Sequence, residues 1–191
     1  MGHIMDNNTE YWNNFYKSFK EDSSSSFAKW ISTQNIITPD SKIIDIGCGN
    51  GRDTKFILSI SSNIVGVDSA LLESPDFNFL QSNIEDIITK DCKYDIVYSR
   101  FFFHSIPQDV TYDILKWNNG ILLAEFRVDG DEPILYPDHT RYLVNAEWFE
   151  KVIYELYNVE FICVSKNLAV YKEENPIVMR VIARKKIVVL K

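Results

Sequence analysis

Three glycines at alternate positions, Gly47, Gly49 and Gly51, place the strongest constraint on how this chain can fold. The apolar run at residues 42–46 predicts a strand before them, and residues 52–60 predict a helix after them. Glycine tolerates the backbone of a sharp strand-to-helix turn, and its missing side chain lets backbone N–H groups approach a ligand. The same glycines could instead only close a tight connection. The pattern predicts a β-α unit whose turn is open to a ligand.

The chain beyond this turn alternates short apolar runs with helical stretches, which is typical of βα units around a parallel sheet. Two β-rich runs near the C-terminus have no helix between them, so they predict an antiparallel pair at one sheet edge. We therefore expect an α/β fold with a mostly parallel, seven-stranded sheet. The further strands are predicted at 63–67, 77–80, 94–98, 121–126, 159–165 and 178–189, and further helices at 108–117 and 145–156.

The N-terminal region predicts two helices ahead of the sheet. Aromatic residues at three- and four-residue steps over 7–20 give the first helix one apolar face. The serines at 23–26 supply an N-cap for a second helix that carries Phe27 and Ile36. We expect the helices within residues 6–38 to cover the ligand site.

The length of the chain predicts a single domain. Residues 1–5, with a second methionine at Met5, are interpreted as an added leader ahead of a native start, which removes His3 from the chemistry. The remaining chain suffices for one sizeable core and is too short for two ordinary domains, so one domain is expected over residues 6–191. The longest apolar runs fall far short of the roughly 20 residues that a membrane span requires.

The charge and the cysteines restrict the kind of partner. A formal net charge of −7 opposes the counterion release that drives binding to nucleic acids, so a small-molecule partner is favoured. The three cysteines lie far apart without CxxC spacing, which indicates neither a disulfide framework nor a zinc site and favours a reducing cytoplasm. The oligomeric state stays open.

Two acidic residues give the glycine turn a chemical identity. Asp68 ends the second predicted strand 21 residues after Gly47, the spacing at which an acid accepts hydrogen bonds from ribose hydroxyls. Asp45 opens the turn, where a carboxylate would repel a pyrophosphate but would attract the amine of a methionine-type ligand. Arg52 stands where a nicotinamide or flavin fingerprint has a small residue. These features favour a sulfonium cofactor.

Residues 45–51 and 65–68 resemble the first two motifs of the class I S-adenosylmethionine-dependent methyltransferases. Residues 94–100 are similar to the fourth-strand motif of that family, and the resemblance covers about 11–127. It implies a Rossmann-like three-layer sandwich, methyltransferase activity and S-adenosylmethionine as the cofactor.

The resemblance also implies a set of cofactor contacts. Asp45 would hold the methionine amine, the glycines would line the methionine portion and Asp68 would bind both ribose hydroxyls. Asn83 stands where the family usually has an acid that accepts from the adenine amino group, and its amide oxygen can still accept. The residues implied to contact the cofactor are Asp45, Gly47, Gly49, Gly51, Arg52, Asp68, Ser69, Asn83, Ile84, Ser99, Tyr16 and Phe27.

The latter part of the chain is similar to small methyltransferases of bacterial surface-polysaccharide, or capsule, modification. The similar segments are residues 125–127, 139–142 and 168–176. This similarity implies O-methylation of a small polar or anionic acceptor: a sugar, a nucleotide-linked precursor or a phosphoramidate.

Five residues are candidates for contact with the acceptor. Methyl transfer from a sulfonium depends mainly on positioning, but a hydroxyl acceptor of high pKa benefits from a general base. His104, beyond the fourth strand, and His139, in a long polar loop, are the candidate bases, although each could be a packed or solvated histidine. Arg127 and Arg141, together with Glu125, could orient an anionic acceptor. A structural Arg–Glu pair at the strand end is the alternative.

No metal is expected at this site. Asp129, Asp131 and Glu132 form one acidic run, whereas magnesium needs carboxylates that converge from separate elements. Two other functions stay open: N-methylation of a small amine or a protein, and a catalytically silent cofactor-binding module that supports a partner subunit.

Overall fold

The computed structural model describes residues 4–18, 22–130 and 142–187. Helices and strands alternate along most of this length. The strands are β1 (Ile43–Ile46), β2 (Ile64–Asp68), β3 (Phe79–Gln81), β4 (Ile96–Arg100), β5 (Ile121–Arg127), β6 (Tyr157–Ser165) and β7 (Val178–Lys185). The helices are α1 (Ile4–Ser18), α2 (Ser26–Ser32), α3 (Arg52–Leu58), α4 (Ile84–Ile88), α5 (Gln108–Trp117) and α6 (Ala146–Leu156), with a 3-10 turn at Phe103–Ser105.

In the described part of the chain, seven strands form one sheet in the order β3-β2-β1-β4-β5-β7-β6. The pairs from β3 to β5 are parallel, whereas β7 pairs antiparallel with both β5 and β6. The predicted fold class is therefore confirmed. The antiparallel C-terminal pair is β6 and β7, joined without a crossover helix.

The sheet is buried on both faces, which gives the three layers. All four residues of β1 are buried, and neighbours in the strand face opposite sides: Ile43 packs with α2 and α3, and Ile44 packs with α4, α5 and α6. Isoleucine and valine dominate β1 and β2, as expected for parallel strands covered on both faces.

Some predicted boundaries are wrong, each for a local reason. Helix α2 ends at Ser32, so Ile36 lies beyond it, after Asn35 adopts a positive φ of 56°. Helix α4 was not predicted, because its five residues are too few to show a helical repeat. Strand β7 ends at Lys185, and residues 186–187 are not part of it; the predicted end at 189 lies outside the described residues.

The ends of β1, β2, β4 and β5 meet at one edge of the sheet. Parallel strands bring their carboxyl ends together, so the residues that follow these strands share one crevice. Within the described residues, no helix combines the length and apolar character needed to cross a membrane.

Candidate functional site

The glycine turn between β1 and α3 adopts a left-handed backbone. The φ angles of Gly47 and Gly49 are 69° and 56°. A Cβ atom on Gly47 would lie 2.4 Å from the Phe102 ring, and one on Gly49 would lie 2.5 Å from the Tyr16 hydroxyl oxygen. Both the backbone conformation and the close packing therefore require glycine here.

Asp68, at the end of β2, binds the backbone of this turn through hydrogen bonds. Its Oδ2 accepts a hydrogen bond from the Gly49 backbone N–H at 2.8 Å, and its Oδ1 accepts from the Ala70 N–H at 2.9 Å. Burial raises the pKa of Asp68, and the backbone hydrogen bonds partly oppose that rise. Asp68 also lines a cavity of about 90 Å³ together with Ser69, Asn83 and Ile84.

Asp45 is buried at the carboxyl side of β1. Its Oδ2 accepts a hydrogen bond from the Thr54 hydroxyl at 2.6 Å. The pKa of Asp45 is raised to about 8: burial is the largest cause, the Thr54 hydrogen bond opposes it, and the negative charges of Asp53 and Asp68 add to it. A cationic ligand amine in this place would therefore favour the ionised carboxylate.

Asp53, in the first turn of α3, was missed by the sequence analysis. Its Oδ1 accepts from the Ser25 N–H at 2.7 Å, while its Oδ2 accepts from the Ser25 and Tyr98 hydroxyls, each at 2.7 Å. The Ser25 hydroxyl oxygen also accepts from the Ala28 N–H and so caps α2. An acid at a helix start is common, and nothing in the local sequence indicates that this one is buried.

A second cavity, of about 230 Å³, lies against the glycine turn. It shares Trp12, Tyr16, Gly47 and Phe101 with the smaller cavity as lining residues. Trp12 and Tyr16 of α1 stack with ring centroids 5.8 Å apart, and both line both cavities. Burial, reinforced by the negative charge of Asp68, raises the pKa of Tyr16 and keeps its hydroxyl protonated.

The predicted cofactor contacts divide between the two cavities. The smaller one carries Asp68, Ser69, Asn83 and Ile84, the residues assigned to ribose and adenine. The larger one carries Asp45, Gly47, Gly49 and Arg52, the residues assigned to the methionine portion, and also Asp53. Gly51 ends the turn with a φ of 77° and packs against Phe77.

The larger cavity extends to residues that follow β4 and β5. His104, Arg100, Phe101 and Arg127 line it, together with Ala169, Tyr171 and Glu174 from the connection between β6 and β7. Phe101 has a φ of 58°, an uncommon conformation for a non-glycine residue. Its ring lies 4.3 Å from the guanidinium carbon of Arg100 and 5.5 Å from that of Arg127.

His104 is buried and oriented by the backbone of β5. Its Nδ1 accepts a hydrogen bond from the Arg127 N–H at 3.3 Å, so the neutral ring carries its proton on Nε2. In an imidazolium, Nδ1 would also carry a proton, and this proton would point at the Arg127 backbone N–H and repel it. Because a general base becomes the imidazolium when it takes a proton, this contact opposes a role of His104 as the base.

Glu125 and Arg127 do not form the pair that the sequence suggested. The buried carboxylate of Glu125 accepts from Arg100 Nε at 2.9 Å and from Arg180 Nε at 2.6 Å, and it lines neither cavity. Arg127 instead pairs with Glu174. The partners are far apart in sequence, so spacing could not reveal them.

Two other predicted cofactor contacts, Phe27 and Ser99, lie away from both cavities. Phe27 packs on Tyr98 in the core at 5.4 Å between ring centroids, because α2 turns its apolar face to the sheet. Ser99 is buried in β4, and its hydroxyl has no hydrogen-bond partner among the described residues. Neither lines either of these two cavities. His139 and Arg141 lie outside the described residues.

Asp129 has a structural partner. Its carboxylate accepts from the Asn145 side-chain amide at 2.6 Å and from the Ala146 N–H at 3.0 Å, at the start of α6. Asp131 and Glu132 lie outside the described residues. No group of three or more potential metal ligands occurs in the described ranges.

Sequence comparison detects a known domain around the glycine turn. Residues 44–116 match the family described as "Methyltransferase domain". An uncharacterised methyltransferase of Synechocystis is 23% identical over 93 residues, a match that covers 45% of this chain and 44% of that relative.

Solved structures share the fold over nearly the whole chain. An S-adenosylmethionine-dependent methyltransferase from Anabaena variabilis gives a TM-score of 0.72 at 14% identity, covering 96% of each chain. The Burkholderia thailandensis 1,6-didemethyltoxoflavin-N1-methyltransferase, solved with 1,6-didemethyltoxoflavin and S-adenosylhomocysteine, gives 0.71 at 13% identity, covering 97% of this chain and 91% of that one. The Synechocystis magnesium protoporphyrin IX methyltransferase with bound S-adenosylmethionine gives 0.60 at 11% identity, covering 97% and 85%. Residues 44–116 therefore match a methyltransferase domain, and the chain shares the fold of these S-adenosylmethionine-dependent methyltransferases.

Proposed function

We propose that this chain transfers a methyl group from S-adenosylmethionine to an oxygen atom of a small anionic acceptor. The similarity of 125–127 and 168–176 to enzymes of surface-polysaccharide modification supports a sugar, a nucleotide-linked precursor or a phosphoramidate as that acceptor. The observation that carries the proposal is the larger cavity, because one continuous space is lined by the glycine turn and by the arginines that follow β4 and β5.

The cofactor end is built from two acids and the glycine backbone. When bound, S-adenosylmethionine supplies a methyl group on a positively charged sulfur. Asp45 would bind its amine as a carboxylate, and Asp68, already fixed by the Gly49 and Ala70 N–H groups, would accept from the ribose hydroxyls. Trp12 and Tyr16 would exclude water from the space between the two cavities.

The acceptor end supplies charge and position rather than a base. Arg100 and Arg127 line the cavity beside Phe101, and His104 is held as a neutral ring by the β5 backbone. In-line displacement at a sulfonium can be accelerated by positioning alone, with effective molarities of about 10⁵ M or more. An acceptor oxygen that is already ionised near neutral pH needs no proton removed, which fits this set of residues.

Calorimetry with S-adenosylhomocysteine tests the cofactor half of the proposal. We expect binding to the wild-type chain and at least about tenfold weaker binding to Asp68→Asn, because the amide can accept at one oxygen only. Asp91→Asn makes the same change at an exposed acid outside both cavities and should bind like the wild type.

Methyl transfer itself is measured as S-adenosylhomocysteine formed from S-adenosylmethionine with anionic sugars and nucleotide sugars. Absence of cofactor binding would overturn the proposal. Cofactor binding without turnover on any acceptor would instead favour a silent module. Unchanged turnover in His104→Ala is expected if no base acts there.

A further inference from the structure

On one edge of the Arg127 guanidinium, only one of the two nitrogen donors has a hydrogen-bond acceptor among the described residues. The Nε and Nη2 atoms lie on the same edge of a guanidinium, spaced to donate to both oxygens of one oxyanion. Nη2 donates to Oε2 of Glu174, whereas Nε is buried and has no hydrogen-bond partner among the described residues. The Arg127 side chain is only 10% exposed. A buried donor without an acceptor is costly, so this edge is better suited to an oxyanion that reaches both nitrogens.

The carboxylate of Glu174, which accepts from Nη2, can move more easily than the guanidinium of Arg127. Glu174 belongs to a surface turn closed by reciprocal backbone hydrogen bonds with Tyr171 of 3.0 and 2.9 Å, and its side chain is 42% exposed. Lys172 within that turn has a φ of 53°. Arg127, by contrast, is fixed in β5 beside Phe101. Glu174 can therefore return to water while Arg127 stays in place.

The surrounding charge favours a second anion at this end of the cavity. The single carboxylate of Glu125 serves two guanidiniums, those of Arg100 and Arg180. With Arg127 and Glu174 included, this group of ion pairs contains three arginines and two acids. The excess of positive charge grows when the Glu174 carboxylate leaves. Asp45 and Asp53 also line the cavity, but their carboxylates already accept hydrogen bonds. Asp45 accepts from the Thr54 hydroxyl, and Asp53 accepts from the hydroxyls of Ser25 and Tyr98.

We propose that Glu174 stands in for an oxyanion of the methyl acceptor, and that a carboxylate or phosphate of the acceptor displaces it to bind both Nε and Nη2 of Arg127. This inference rests on the proposed function, because the acceptor must share the larger cavity with the cofactor. It assigns to the connection between β6 and β7 a direct part in acceptor selection.

The test follows the Nε–H resonance of Arg127 in ¹H–¹⁵N spectra of the chain saturated with S-adenosylhomocysteine. Inorganic phosphate is titrated in one series and acetate in another, and Arg127→Lys identifies the resonance by its loss. We expect the Arg127 resonance to shift with one or both anions. The anion with the lower Kd shows whether phosphate or carboxylate is preferred.

Two matched variants give the decisive comparison. Glu174→Gln should lower the anion Kd by about fivefold, because the competing carboxylate is gone while its shape is kept. Glu173→Gln removes the same charge from the same turn at an exposed residue that lines neither cavity, and it should change the Kd by less than about twofold. Equal effects of the two variants, or an Arg127 resonance that neither anion moves, would overturn the inference.

Repeating the titrations without S-adenosylhomocysteine separates the two proposals. If the wild-type chain binds no S-adenosylhomocysteine, the proposed function fails while the anion measurement can still be made. If it binds S-adenosylhomocysteine but the Arg127 resonance never responds to either anion, only the inference about Glu174 fails.

Discussion

The carboxyl group of Asp45 lies where a negative charge is costly until a cation arrives. Burial is the largest cause of its pKa of about 8, and the Thr54 hydroxyl is the only hydrogen-bond donor that the structure describes for its side chain. An ammonium group brought by a ligand would stabilise the carboxylate, so ligand binding and proton release are coupled at this residue.

Binding of S-adenosylhomocysteine should therefore strengthen with pH. We expect the affinity measured by calorimetry to rise from about pH 6 through pH 8 and to level off about one pH unit above the pKa of Asp45, since the ionised form of Asp45 binds the amine. Asp45→Asn should weaken binding at least about tenfold and lose most of this dependence. An affinity that is flat over this range in the wild-type chain would contradict the assignment of Asp45 to the amine.

Stability should change in the opposite direction with pH. The pKa of Asp45 is raised from 3.8 to about 8, so between these values the native state binds more protons than the unfolded state. Its contribution to the free energy of unfolding is therefore lost as pH rises towards 8. The Asp45→Asn variant, which resembles the protonated acid, should lose less stability over this interval.

Individual residues show where sequence reasoning stops. Asp45, Asp68 and the glycines could be assigned because their chemistry depends on neighbours in sequence and on a fixed spacing. The partners of Glu125 and Arg127 could not, because Arg180 and Glu174 lie 55 and 47 residues away. Side-chain burial, which gives Asp53 its importance, depends on the packing of the whole sheet.

Elements with strong local signals were predicted well. The bounds predicted for α5 agree with the structure, and Asn145 caps α6 as expected by accepting from the Trp148 N–H at 2.8 Å. The strands were found to within about two residues, apart from the end of β7. The short helix α4 has no such signal, because its stability comes from packing Ile84 and Ile87 into the core.

The contact between α2 and α3 depends on one carboxylate. Asp53→Asn should lower the free energy of unfolding by about 2 kcal/mol, because an amide cannot accept from all three donors of Ser25 and Tyr98. Urea denaturation followed by circular dichroism measures the change, and Asp91→Asn is the control. A loss below about 0.5 kcal/mol would show that the donors find other acceptors.

Glu125 connects distant parts of the whole molecule. It lies in β5 and binds Arg100 of β4 and Arg180 of β7, and Arg180 also donates to the Ser26 hydroxyl at 3.0 Å and the Leu168 carbonyl at 2.9 Å. Helix α2, the centre of the sheet and the C-terminal strand pair are thus joined through one buried acid and its arginine partners.

Removing that charge should destabilise the entire fold. Glu125→Gln leaves the buried guanidinium of Arg180 and the partly buried one of Arg100 without a counterion, and it should lower the free energy of unfolding by about 3 kcal/mol. Glu160→Gln breaks the exposed pair with Arg184 and should cost less than about 1 kcal/mol. Urea transitions monitored by tryptophan fluorescence and circular dichroism should shift together in Glu125→Gln. Separate shifts would mean that Glu125 stabilises only a part of the molecule.

The connection between β6 and β7 has a consequence for evolution. It contributes Ala169, Tyr171 and Glu174 to the larger cavity, yet it lies about 120 residues from the glycine turn. After gene duplication, substitutions or insertions in this one hairpin could redirect a descendant enzyme to a new acceptor and leave the ancestral cofactor half untouched. Diversification within such a lineage should therefore concentrate at residues 166–177.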